Sequence, residues 1–239
     1  MTIDEAPHIG AAERARIVAA YPPHEREARA RGMPQLGSGR IFTLAEEAIT
    51  VEPFAVPRHW KRIGGLDFGW DHPTAAVLLA LDPEVDCLYV THEYRQKAAT
   101  PLIHAAALKA WGSGIPFAWP ADGLQHDRAS GLRLAELYRG HGLALLDRHA
   151  TFEDGSVSVE AGLVEMLERM ETGRWKVFGT CALWLEEFRL YHRRDGWIQK
   201  INDDLLCASR YAMMMRREAR AAADDSFTKK LNYESRWIV

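Results

Sequence analysis

Cysteine is scarce in this chain: Cys87, Cys181 and Cys207 are odd in number and show no C-x-x-C spacing, which argues against a disulfide framework and against a structural zinc site. They read as ordinary, partly buried thiols. No G-x-x-x-x-G-K-[ST] loop is present, so the chain shows no sign of a P-loop ATPase of its own. No apolar run is long enough to span a bilayer, and no signal-peptide pattern follows Met1, so a cytosolic protein without membrane contact is expected. Internal repeats and low-complexity segments are also missing. Strong net charge is absent, at −3, which gives no global sign of nucleic-acid binding. Charge is unevenly placed, however. Arg189, Arg193, Arg194, Lys200, Arg210, Arg216, Arg217 and Arg220 crowd the C-terminal third, as a basic face or as solvated helix faces.

What is present suits a soluble globular protein: 239 residues, 47% hydrophobic and 26% charged, enough for one main domain with an extension. The chain is organised around Arg62 to Leu81. A glycine-rich apolar segment, Ile63 to Gly69, is followed after a turn by an unbroken apolar run, Ala75 to Leu81, which predicts a β-hairpin. Cys87 to Tyr94 adds a third strand, giving an antiparallel meander. Beyond it the pattern alternates. Helices are expected over Pro101 to Trp111, Gly131 to His141, Val157 to Glu171, Cys181 to His192 and Asn202 to Arg220, and strands over Pro116 to Pro120, Leu143 to Leu146 and Trp175 to Phe178. The fold class is therefore α/β, a mixed sheet of three antiparallel strands and then alternating helices and strands, flanked by helices. Residues 1–60 read as an extension or connector, with helices at Ala11 to Ala20 and Glu25 to Arg31, a Pro22-Pro23 break and a short strand before Pro53. Residues 61–222 form the main domain and 223–239 a tail. The eight tryptophans are assigned to the core.

Acidic residues carry the chemistry. Asp67 stands inside a core strand, where a carboxylate is costly to desolvate unless it is paired or bound to a cation; the alternative is a strand-end Asp shaping a turn near Gly69. Asp122 follows the strand at Pro116 to Pro120. Asp203 and Asp204 open the last helix, where Asn202 makes a good N-cap and acids suit the macrodipole without any further role. Together the acids offer hard oxygen ligands for two divalent cations about 3.5–4 Å apart, with Asp67 bridging, Asp122 on one side and Asp203 or Asp204 on the other. Asp71 and His72 precede Pro73 and either shape a turn or support the acids; His126 and Asp127 carry less signal. Lys200, Arg193 and Arg194, just before the last acidic pair, are the candidates for phosphate contact.

The layout resembles RNase H-like nucleases, and the sequence resembles one family in particular: the C-terminal nuclease domain of the tailed-bacteriophage terminase large subunit. G-G-L-D-F-G-W-D-H-P-T-A-A-V at 64–77, W-P-A-D-G-L-Q-H-D at 119–127 and K-I-N-D-D-L-L-C-A-S-R-Y-A-M-M at 200–214 carry the resemblance. D-E-A-P-H-I, P-P-H-E-R-E-A-R and G-M-P-Q-L-G-S-G-R-I-F in the extension look like the segment after the packaging ATPase. The resemblance implies a Mg²⁺- or Mn²⁺-dependent endonuclease, using two ions, that cuts double-stranded concatemeric viral DNA during packaging in the host cytoplasm. It implies the terminase small subunit and the portal protein as partners, the tail docking on the portal, and an isolated domain that is monomeric. One position departs from the family pattern: Cys207 stands where many relatives carry a further acid, one helical turn after the pair, so Asp203 and Asp204 both remain candidates. Rival readings are a resolvase- or transposase-type nuclease, an actin-like ATPase turn at D-F-G-W-D-H-P-T, for which no second half is visible, and a non-catalytic docking module whose acids only cap and pair.

Overall fold

The computed structural model describes residues 10–19, 39–126, 131–194 and 197–221. Its sheet grows outward from the expected hairpin. Strand β2 (Lys61–Asp67) runs antiparallel to β3 (Thr74–Asp82), in register from Lys61 opposite Leu81 to Asp67 opposite Ala75. Strand β4 (Cys87–Gln96) pairs antiparallel with β3 and completes the meander, with a register shift that leaves Thr91 to donate its hydroxyl to the Leu78 carbonyl at 3.2 Å. Strand β3 is apolar without alternation because its residues from Thr74 to Ala80 are all buried, as in a central strand covered on both faces.

Three short strands extend the sheet in parallel. β5 (Phe117–Ala118) lies beside β2, β6 (Trp175–Phe178) beside β4, and β1 (Thr50–Val51) beside β6, giving the order β1-β6-β4-β3-β2-β5. β7 (Arg193–Arg194) and β8 (Trp197–Ile198) form a separate antiparallel ribbon, and β9 (Arg220–Ala221) pairs antiparallel with the start of β2. The helices are α1 (Ala11–Ala19), α2 (Pro101–Lys109), α3 (Leu134–Gly140), α4 (Val159–Glu171), α5 (Ala182–Leu190) and α6 (Asp204–Met214).

The position of α6 is set by a glycine. Helix α6 crosses β2 and β3 so closely that a Cβ on Gly65 would overlap the Ala208 carbonyl and press on the Ala212 methyl at 3.1 Å. The neighbouring Gly64 makes room for the Phe117 ring in the same way. Side chains alternate along a strand, so Asp67 shares with Gly65 the face that α6 covers.

Four expectations change. The packed unit begins before residue 61, since β1 joins the sheet and Phe42 and Ile49 are fully buried in its core. Leu143 to Leu146 is not a strand but a single bridge at Leu145, because the Leu146 carbonyl that would extend the ladder is taken by the Trp119 indole at 2.7 Å and by the Arg139 guanidinium. The last helix stops at Met214, where Arg217 donates to the Met214 carbonyl at 2.7 Å and Arg216 to Met213 at 3.0 Å, satisfying its terminal carbonyls before the chain turns into β9. Of the tryptophans, Trp60, Trp119, Trp175 and Trp184 are buried, but Trp70 is 60% and Trp197 78% exposed. The expected helix at Glu25 to Arg31, the extension motifs before Gly39, Asp127 and the tail lie outside the described residues.

Gly65→Ala is expected to cost about 3 kcal/mol or more, the upper range for forcing extra volume into a packed core, because the clash is with helix backbone. Urea denaturation of the two proteins checks it.

Candidate metal centre

One end of the sheet collects the acids. Asp67 is the last residue of β2. The turn after it is closed by Thr74, whose hydroxyl donates to the Gly69 carbonyl at 2.8 Å and accepts from the Gly69 N–H at 3.2 Å, so Thr74 rather than Asp67 does the turn-shaping. Asp122 lies in a single 3₁₀ turn, Ala121–Leu124, that follows β5, and β5 is parallel to β2, so this turn emerges at the same end as Asp67. Gly123 seats that turn against the rings of Trp119 and Phe68, the residue after Asp67. Asp122 itself is exposed and accepts from Gln125 Nε2 at 3.4 Å.

Asp203 and Asp204 arrive on the N-terminus of α6, directly over β2 and β3. Asp203 is the N-cap residue, in place of Asn202, yet its side chain makes no capping hydrogen bond; it accepts instead from the Cys207 thiol at 3.6 Å. The cap comes from outside the helix. Glu187 Oε2 accepts from Leu205 N at 2.8 Å and Leu206 N at 3.2 Å, while its Oε1 accepts from Arg95 Nη1 at 2.8 Å. His72 Nδ1 lies 3.2 Å from Asp204 Oδ1, so His72 supports an acid of the pair.

The electrostatics show that these carboxylates act on one another. The Asp67 carboxyl is pushed up to about 8, first by desolvation, then by the charges of Asp204 and Asp203, with Asp122 adding and Arg210 opposing. Burial also raises Asp203, with the Asp204 charge adding to it, and raises Asp204, against which His72 pulls back. Among the described residues no three acids, histidines or cysteines close into a ready-made ligand shell. The acids gather without converging on one point. An uncompensated cluster of hard oxygen donors is nevertheless what a divalent cation relieves, and the donor set fits Mg²⁺ or Mn²⁺ better than softer metals.

The basic candidates separate. Arg193 is engaged by Glu160 on α4 in a two-pronged ion pair, with Nη1 to Oε1 at 2.7 Å, which ties the β7–β8 ribbon to that helix. Lys200 is exposed and its charge reaches Asp203. Arg194 is exposed in β7.

The Terminase RNaseH-like domain family matches residues 64–216. The chain belongs to that family. The large terminase subunit of Salmonella phage P22 is 47% identical over 94% of this chain and 45% of its own length, and that of Enterobacteria phage LP7 is 47% identical over 90% and 46%. The chain thus spans about half the length of these curated relatives. In structure, it matches the P22 large terminase nuclease domain with a TM-score of 0.73 at 46% identity, over 77% of this chain and 96% of that one. The large-terminase nuclease domain of bacteriophage SPP1, solved with bound Mn, shares the fold at 17% identity and a TM-score of 0.51, over 71% of this chain and 95% of that one. The RNase H-like fold expected from the sequence is therefore the fold of this terminase-family chain.

Sequence reasoning passed over Glu187 and Arg95. Nothing in A-L-W-L-E-E-F-R-L separates the buried Glu187 from the half-buried Glu186 except helical phase, since Glu187 falls beside Trp184 and Phe188 on the covered face.

The raised Asp67 gives a signed pH prediction. Between its ordinary value near 3.8 and the folded value near 8, the folded state holds a proton that the unfolded chain has released, so rising pH erodes stability across that window. Asp67→Asn removes the penalty. In EDTA it should melt higher than the wild type, with a gap that widens from pH 5 to pH 8 and then levels; equal melting curves at pH 8 would show that Asp67 carries no such burden.

Proposed function

We propose that this chain is the metal-dependent endonuclease of a packaging terminase, cleaving double-stranded concatemeric viral DNA by a two-metal-ion hydrolysis in the host cytoplasm. The observation that carries the reading is the gathering of four carboxylates from three separate chain segments at one end of an RNase H-like sheet, in a chain of the terminase family. Asp67, Asp122, Asp203 and Asp204 are the proposed ligands of Mg²⁺ or Mn²⁺. When bound, such ions lower the pKa of an attacking water and neutralise charge on the leaving oxygen. The protein's own work is placement. Asp67 is fixed by the β2–β3 register, Asp122 by its packed turn and the pair by α6, while His72 holds the Asp204 carboxylate in orientation.

Lys200 and Arg194 are the proposed DNA-positioning residues, contacting phosphates without reading bases. Arg193 is the third proposed phosphate contact, and it also braces the ribbon through Glu160. The terminase small subunit and the portal protein are the proposed partners, and the isolated domain the proposed monomer.

The decisive experiment is conversion of supercoiled plasmid to nicked and linear forms with Mg²⁺, Mn²⁺ or EDTA. Wild-type cleavage should require the metal, and Asp67→Ala should abolish it; equal cutting by that variant would return the acids to a structural role. His72→Ala should weaken metal binding by about 10- to 100-fold, the usual loss when the support of a ligand is removed. Lys200→Ala should lower DNA affinity across all sequences and reduce the slope of log K against log salt by about one, as measured by fluorescence anisotropy.

A further inference from the structure

Helix α6 has to satisfy its first amides, and the residue best placed to do so locally is Asp203 at the N-cap. An Asp in that position ordinarily turns its carboxylate back onto the second and third N–H groups of the helix. Here those two groups, Leu205 N and Leu206 N, are both taken by Glu187 Oε2, at 2.8 and 3.2 Å. Glu187 reaches them from α5 and is fully buried. The Asp203 side chain is thereby spared for the acidic centre.

The hold on Glu187 runs back into the sheet. Arg95 sits in β4 opposite Ala75 of β3, which in turn sits opposite Asp67, so Asp67, Ala75 and Arg95 form one rung across three strands. Residues opposite one another on neighbouring strands project to the same face. The small Ala75 therefore separates the acid from the guanidinium that grips Glu187 Oε1 at 2.8 Å. Two rungs further along, on the same face, Glu93 accepts from Leu183 N at 3.1 Å and Trp184 N at 2.7 Å, fixing the start of α5 itself. The strand that neighbours the hairpin thus sets α5, and α5 sets α6.

Building on the assignment of Asp203 and Asp204 as metal ligands, we propose that Glu187, held by Arg95, is a positioning residue of the metal centre: it caps α6 from outside so that the Asp203 carboxylate stays available to the ions. Without Glu187 the unsatisfied amides of α6 recruit Asp203 as an ordinary N-cap and withdraw it from the site.

The test is a double-mutant cycle on Mn²⁺ affinity, read from the electron paramagnetic resonance of free Mn²⁺, with Glu187→Ala, Asp203→Asn and their combination. The wild type should bind, Asp67→Asn should abolish binding, and Glu187→Ala should weaken it by about tenfold or more. Because Asp203 is already withdrawn in Glu187→Ala, adding Asp203→Asn should cost far less there than in the wild-type background. Glu187→Gln, which keeps a capping oxygen, should recover part of the affinity. Leu163→Ala in the core of α4 controls for general destabilisation and should leave Mn²⁺ affinity unchanged despite a lower melting temperature. Additive losses in the cycle, or an equal loss of affinity in Leu163→Ala, would overturn the positioning role while leaving the metal centre standing. Wild-type protein that binds no Mn²⁺ would overturn both.

Discussion

The close approach of α6 to Gly65 is the constraint on which the rest of the structure depends. A helix can lie with its backbone against a strand only where the strand offers no side chain, and the carbonyl of Ala208 occupies the space a Cβ would need. That contact fixes the height and direction of α6 above β2. With the first amides of the helix capped by Glu187, it places Asp203 and Asp204 over the end of the strand that terminates in Asp67. The acidic end of the sheet follows from a packing decision made in its middle.

The price of this arrangement is electrostatic congestion. Desolvation and three other carboxylates drive the Asp67 carboxyl far from its ordinary range, opposed by Arg210 at Asp67 and by His72 and Arg95 at Asp204. Sites that do chemistry are often held in states the surrounding fold would not choose for stability alone. The sheet, the packed turn of Asp122 and the externally capped α6 supply the rigidity that keeps mutually repelling groups together. Glu187 is a fifth acid close by, raised to about 7 chiefly by burial, and its partner Arg95 also acts on Asp204.

Much of this was legible in the sequence because the signals were local. The glycine-rich segment, the unbroken apolar run and the acid between them specify the hairpin, and both strands appear where the pattern puts them. Asp67, Asp122, Asp203 and Asp204 could be picked out because an acid at a strand end or a helix start stands against its apolar surroundings, and the structure brings the other three close enough for their charges to act on Asp67. The missing part is non-local. Glu187 and Arg95 are distant in sequence from the helix they serve, and a capping carboxylate from another element leaves no local pattern. The two-residue contribution of β1 was equally hidden as a sheet member, since its partner β6 lies far down the chain. Leu143 to Leu146 had the composition of a strand but lost its ladder to the side chains of Trp119 and Arg139.

The place of β1 has a mechanical consequence. Thr50 and Val51 form the outermost strand at one edge of the sheet, with β6, β4 and β3 between them and the strand that carries Asp67. A pull on the segment leading into β1 is a load on that edge, shared along the backbone hydrogen bonds of Val177 with Ile49 and Gly179 with Val51. Further up the chain the same segment is held by Ile41 N donating to the Tyr191 carbonyl at 3.1 Å and by Arg193 N donating to the Gly39 carbonyl at 2.7 Å, so a load there meets the end of α5 and β7 before it meets β1. The segment before the hairpin is thus anchored at two places, on the sheet edge through β6 and on the end of α5, rather than hanging free of the domain.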